Sequence, residues 1–378
     1  MTRNEFLEKL ASALSSLSGS ERSRVLEYYD EMISDRMEEG MSEAEAVEAM
    51  GSIDQILNEA APEAEPAFAE EAAPQIPGAP LLFREPVESI LSNTASANLL
   101  LRCAPLPDGA TAMIELNLSE NLQCRSALNR GRLEIFVETV RRKGFSLRDI
   151  FSFAHSSVTV TLAESVLERA KLNASSGDAE LTGLTFTDCL SIGTASGNIA
   201  LTSVKVGAFC CLHTASGNIT ATDLTSGDEI SFKTASGDFR ARNLGTSTLR
   251  FSSASGDAVL QQAKCNHIEA GTASGDFRLT DVQCNDLTAS AASGDMTLSA
   301  CTASGEVNLH TSSGDIRLDS ASAGRFDIST TSGDVRGSLN GQYAFCASSR
   351  SGDVHVPSSN GENPVHVRSS SGDITFRI

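Results

Sequence analysis

Ser274-Gly275-Asp276-Phe277-Arg278-Leu279 is one copy of a motif that decides how most of the chain folds. Ser-Gly-Asp or Ser-Gly-Asn recurs with its glycine at Gly177, Gly197, Gly217, Gly237, Gly256, Gly275, Gly294, Gly314, Gly333, Gly352 and Gly372. Successive glycines lie 20, 20, 20, 19, 19, 19, 20, 19, 19 and 20 residues apart. So tight a period marks a repeat architecture in which each unit buries its apolar side chains by stacking on its neighbours. Two and four residues after the glycine stand apolar or small pairs, such as Phe277 and Leu279 or Ile316 and Leu318. Seven and five residues before it stand Leu190 and Ile192, Leu249 and Phe251, or Phe326 and Ile328. Alternation over runs this short is the pattern of half-buried strands. The spacing therefore predicts a mainly β protein, a β-solenoid with two strands and two turns in each coil.

The motif itself reads as turn chemistry. Glycine supplies a positive φ, and Asp or Asn can bond its own backbone. Ser226-Gly227-Asp228 and Ser304-Gly305-Glu306 fall half a period out of phase and read as the same chemistry at the opposite turn. Stacked aspartates repel one another. Arg240, Arg278, Arg317 and Arg336, each three residues after a motif glycine, are expected to soften that repulsion by diagonal pairing. Each such exposed pair contributes under about 1 kcal/mol. A column of carboxylates could instead collect Ca²⁺. The Gly-Gly-x-Gly-x-Asp nonapeptide of calcium-binding rolls is missing, however, so neither a metal nor another cofactor is expected. The Thr of the Thr-Ala-Ser runs shares the parity of the apolar strand residues, which places it inward.

Composition agrees with thin, regular layers. The 378 residues contain no Trp and only 5% aromatics. Of the formal charge of −20, residues 1–60 carry −9 (5 Lys+Arg, 14 Asp+Glu) and four Glu in 61–80 bring the sum to −13. An acidic chain without a basic patch is a poor partner for nucleic acid or an anionic membrane. The nine cysteines show no metal-ligand spacing and read as reduced packing residues; Cys265 and Cys284 share one phase of the repeat, Cys211 and Cys346 another. The start, Met1-Thr2-Arg3-Asn4-Glu5-Phe6, has no apolar signal core, and no apolar run approaches membrane-spanning length. The expected location is cytoplasmic, peripheral to a membrane only through partners.

Before the repeats, residues 1–60 read as a small helical bundle. Phe6, Leu7, Leu10, Leu14 and Leu17 keep helical spacing, as do Val25, Leu26, Tyr29, Ile33 and Met37. Gly40 closes the second helix, and Ser42 with Glu45 forms a capping box for a third. Glu5-Phe6-Leu7-Glu8-Lys9-Leu10, Leu26-Glu27-Tyr28-Tyr29-Asp30-Glu31 and Gly40-Met41-Ser42-Glu43-Ala44-Glu45-Ala46 resemble the HAAS-type helical domain of bacterial proteins. Such proteins are often encoded beside a PadR-type transcriptional regulator. The resemblance implies a docking module whose partner is a protein, a PadR-type regulator or an envelope protein. Gly51-Ser52-Ile53-Asp54 departs from the Gly-Asp-Pro that usually precedes the last helix. Residues 61–80, rich in Glu, Ala and Pro, read as a disordered acidic linker.

Residues 81–165 are β-rich but irregular and read as a cap on the regular solenoid of 166–378, with Ser96-Ala97-Asn98 a worn copy of the motif. Val87-Glu88-Ser89-Ile90, Val158-Thr159-Val160-Thr161-Leu162 and the Ser-Gly-Asp turns resemble a bacterial adhesin-type family of β-strand repeats of unknown function. That resemblance implies a β-solenoid. The chain stops six residues past Gly372, so the last coil is expected to be an exposed template for pairing, a place for self-association.

The six histidines are scattered, and nucleophile elbows, Walker loops and HExxH are absent. The expectation is a non-catalytic scaffold or interaction protein in envelope-stress or PadR-linked signalling. An extracellular adhesin or glycan-binding rod is the first alternative, a carbohydrate-active parallel β-helix enzyme the second.

Overall fold

The computed structural model describes residues 80–119, 121–139, 156–358 and 361–377, together with the helical residues Arg3, Phe6, Lys9 and Glu43. The chain divides into two compact units, Met1–Ala72 and Ala73–Ile378. In the first, Phe6 is fully buried and the Arg3 amide donates to Glu43 Oε1 at 2.7 Å. The rest of the expected bundle and the linker lie outside the described residues, as does His155.

The second unit is a β-solenoid of parallel strands in register. Ile199, Ala200, Leu201 and Thr202 align with Ile219, Ala221 and their neighbours one coil on, and again with Phe239 and Ala241. On the other side of the coil Leu190, Cys210, Ile230, Leu249 and Ile268 form one inward column. Those positions are buried throughout, and Phe232, Phe239, Phe251 and Phe277 stack along the axis with ring centroids 4.0 to 5.8 Å apart.

Each coil from that of Gly177 to that of Gly314 has a third corner that the alternation does not predict. Ser203, Asp223, Asn243, Gln262, Asp281, Ala300 and Ser320 all adopt φ between 52° and 56°, one per coil, with Gly183 at 68° heading the column. Two consecutive exposed residues occur there, Thr202 and Ser203 in one coil, before Val204 returns to the core. The left-handed residue thus reverses the alternation and bends the strand, at a cost that polar side chains such as Asn and Asp lower.

The motif glycines are needed for a different reason from the expected one. None has a positive φ; among described glycines only Gly109, Gly131, Gly183 and Gly341 do. Instead, a Cβ on Gly275 would lie 2.0 Å from the Gly256 carbonyl oxygen, and one on Gly256 would lie 1.8 Å from that of Gly237. The same clash repeats along the column, so glycine is required by the close approach of successive turns.

Spatial order departs from chain order at both ends. The first coil, Ser89–Thr94 and Asn98–Cys103, lies between the coil of Gly177 and the strands Arg132–Thr139 and Ser157–Leu162. Beyond these, Leu122–Asn129 and Ala112–Asn117 pair antiparallel. At the far end the terminal coil, Asn363–Ser369 and Ile374–Arg377, is inserted between the coils of Gly333 and Gly352. The expectation of an exposed last coil is therefore corrected: the outermost coil is Tyr343–Ser349 with Val354–His355. Tyr343 secures the step that skips a level. Its hydroxyl accepts from the buried Ala323 amide at 3.1 Å, and its ring meets Phe326 at 5.6 Å.

Two variants test this account. Gly275→Ala is expected to destabilise by about 2–4 kcal/mol through coil separation. Gly183→Ala, where nothing lies within 4 Å of the added Cβ and only the left-handed φ of 68° is strained, should cost less, about 1–2 kcal/mol. Urea unfolding midpoints of the two variants check the contrast. Tyr343→Phe should cost about 1–3 kcal/mol by leaving a buried amide unpartnered.

Candidate functional site

The edge carrying the motif is built from three hydrogen-bonded columns. Three residues before nine of the eleven motif glycines stands Thr or Ser, Ala174 and Ala291 being the exceptions, and most of these side chains are buried, at 0% exposure for Thr214 and Thr311. The glycine amide donates to that hydroxyl, at 3.0 Å in Gly217 to Thr214 and Gly275 to Thr272. The hydroxyl in turn donates to a glycine carbonyl of the neighbouring coil, as Thr214 to Gly197 and Thr311 to Gly294, both 3.1 Å. The inward placement of Thr expected from its parity is what the structure shows.

The aspartates do not bond their own backbones. Asp178 donates its amide to Asn98 Oδ1, and the pattern repeats from coil to coil through Asn198, Asn218, Asp238, Asp257, Asp276, Asp295, Asp315 and Asp334. Asp373 then donates to Asp334 and Asp353 to Asp373, which follows the inserted order of the last coils. Each carboxylate spends one oxygen on an amide of the next coil, and this offsets the repulsion along the column. The arginines act within their own coils, not diagonally: Arg240 pairs with Asp238 at 2.9 Å, Arg278 with Asp276 at 3.5 Å and Arg336 with Asp334 at 2.5 Å. Arg317 makes no such pair among the described residues.

Arg317 lies where the repeat breaks. Leu318 aligns with Gly337 and Ala321 with Leu339, so the coil of Gly333 is one residue short at the left-handed corner. Ser338 alone faces Asp319 and Ser320, and the Ser320 amide donates to its hydroxyl at 3.1 Å. Gly337 leaves room that the Phe376 ring fills; an added Cβ would come within 2.9 Å of that ring. Outside this break opens a cleft of about 530 Å³, walled by Thr297, Arg317, Arg336 and Thr375 in one register row and by Asp319, Ser338 and Arg377 beside it. Asp295, Asp315 and Asp334 of the ladder form its rim. The wall offers guanidinium and hydroxyl donors next to carboxylate acceptors, chemistry suited to a polyhydroxylated or anionic ligand. Motif reading alone missed this cleft. Its signal was present as the glycine at 337, where other coils carry an apolar or small residue.

Other reactive side chains are dispersed. His310 Nδ1 meets Ser329 Oγ at 2.9 Å and His267 Nδ1 meets Asp286 Oδ2 at 3.2 Å, both exposed. Among the described residues, no three His, Cys, Asp or Glu side chains gather closely enough to hold one ion. All nine cysteines are free. Burial pushes the Cys124, Cys265 and Cys284 thiols up to about 12, and raises Cys210 further. Such thiols stay protonated and unreactive near neutral pH.

Two measurements follow from the thiols. A maleimide or disulfide reagent at pH 7.5 should modify Cys103, Cys211 and Cys346 in the folded chain, and reach Cys124, Cys210, Cys265 and Cys301 only after unfolding. Because burial raises these thiols above their ordinary value of 9.0, the unfolded chain loses their protons first. Stability should therefore be full below about pH 9 and decline as pH rises towards 12, which urea titration at stepped pH would read.

No helix among the described residues is long and apolar enough to cross a membrane. None of the curated proteins matches the chain. Among solved structures, a "putative lipid binding protein" from Parabacteroides distasonis is 12% identical, with 81% of this chain and 98% of that one covered and a TM-score of 0.34. A "putative adhesin" from Bacteroides fragilis is 13% identical, covering 79% and 96%, with a TM-score of 0.29. The HAAS family matches residues 5–59. Toastrack DUF4097 matches residues 110–257 and 214–377, which together take in more than half of the chain. With its glycine-edged coils and HAAS segment, the chain belongs to the Toastrack DUF4097 family.

Proposed function

We propose that this chain is a non-catalytic scaffold in which the HAAS segment docks a protein and the solenoid presents a rigid, regularly spaced surface. The observation that supports this reading is the unbroken Asx ladder running over a continuous apolar core. Every coil is locked to the next by main-chain and side-chain bonds, which suits a spacer that holds partners at fixed distances. A PadR-type regulator or an envelope protein is the partner that the HAAS resemblance favours. The process would be an envelope-stress response, with the protein on the cytoplasmic side and at the membrane only through that partner.

The cleft beside Arg317 favours a second reading, a glycan-binding rod.

Cross-linking of the intact protein in cells, read by mass spectrometry, distinguishes the two. The scaffold reading expects links from Lys9 and its neighbours to one dominant protein, lost when residues 1–60 are deleted. Capture unchanged by that deletion would sink it. The glycan reading expects calorimetric binding of uronate-containing oligosaccharides that falls at least tenfold in Arg317→Ala.

A further inference from the structure

We propose that two copies of the chain join tail to tail through the edge strand Tyr343–Ser349, around a two-fold axis that passes beside Cys346. This strand is the outer edge of the solenoid, and among the described residues it pairs on one side only, with Asn363–Ser369. The Arg350 amide donates to the Ser369 carbonyl, which fixes the phase of the ladder. Residues 344, 346 and 348 therefore turn their amides and carbonyls towards the inserted coil. Residues 343, 345, 347 and 349 turn theirs outward, where no strand among the described residues pairs with them.

An outward edge of this kind is a template for another strand, and natural proteins usually blunt it with lysine, proline or a bulge. Tyr343-Ala344-Phe345-Cys346-Ala347-Ser348-Ser349 has none of these and carries no charge, in a chain whose formal charge is −20. A second copy therefore meets no charged side chain along this strand.

The strand is also complementary to itself when reversed. A two-fold axis at its central residue sets Phe345 against Ala347 of the second copy, Tyr343 against Ser349, and Ala344 against Ser348. Each pair matches a larger side chain with a smaller one. The outward-turned residues then form the hydrogen-bonded pairs, about eight bonds across the contact. Cys346 meets its own copy as a non-hydrogen-bonded pair, with Cα atoms about 4.5 Å apart. Its side chain is exposed and lies on the outer face of the strand. That separation falls within the window for a disulfide, roughly 4.4–6.8 Å. The contact is isologous and closes at two copies, each shielding the other's open edge.

Light scattering after size exclusion should give twice the chain mass of 39.7 kDa for the intact protein. Diamide, which takes up the two electrons and two protons that a pair of thiols releases, should convert this dimer to a covalent one on non-reducing gels. Cys346→Ser should abolish that cross-link and leave the dimer, whereas Cys103→Ser and Cys211→Ser should change neither. Ala347→Pro removes an outward amide and none that faces the inserted coil, so it should keep the strand circular dichroism and weaken dimerisation at least tenfold. A monomer at tens of micromolar would overturn the proposal. So would a dimer indifferent to Ala347→Pro, a cross-link that survives Cys346→Ser, or an open-ended series of oligomers, which would mean head-to-tail pairing.

Discussion

The structure depends on how closely one turn can sit above the next. At each Ser-Gly-Asp the backbone packs so tightly that a Cβ on the glycine would lie 2.2 Å or less from a carbonyl of the adjoining coil. Removing the side chain at that one position lets the rest of the edge assemble. The buried Thr or Ser can span from its own glycine amide to the neighbouring glycine carbonyl. The next residue's carboxylate or carboxamide reaches the amide one level away. Three residue types, three residues before the glycine, at it and just after it, are thus fixed by a single spacing, the distance between parallel strands.

Energetically such a rod is a sum of nearest-neighbour contacts, each coil stabilised by the two it touches. What distinguishes one part from another is where a column is interrupted. The coil of Gly333 lacks its left-handed residue, and the cleft beside Arg317 opens there. At the two ends, where a coil would have only one neighbour, the chain departs from simple winding. The first coil is enclosed by strands that come later, and the last is inserted beneath the one before it. These departures, not the repeated motif, hold the features that suggest binding.

Much of this was legible in the residues. The apolar pairs flanking each glycine are the core columns, and the parity of Thr places it inward as found. The worn copy at Ala97-Asn98 begins the Asx ladder even without its glycine. Other details emerge only from the folded chain. The third corner was hidden because its residues, Ser203 to Ser320, are varied and mostly polar and resemble an ordinary exposed strand position. The role of glycine was mistaken because turn conformation and close approach both call for the same residue. Arg240, Arg278 and Arg336 satisfy their own coil's aspartate, since two residues along one strand on the same face lie within reach of a long side chain.

By itself, then, the sequence determined the coil: its length, its inward and outward positions, and the edge on which it stacks. Only the tertiary structure decided the order of the coils and the places where their columns break. The physical reason is that every coil presents the same register and the same hydrogen-bonding groups above and below. The coil of Gly372 takes the place on that of Gly333 that chain order would give to the coil of Gly352, and nothing in a regular 19- or 20-residue spacing signals the exchange. Connections and end effects choose between such equivalent neighbours, and these act between residues far apart in the chain.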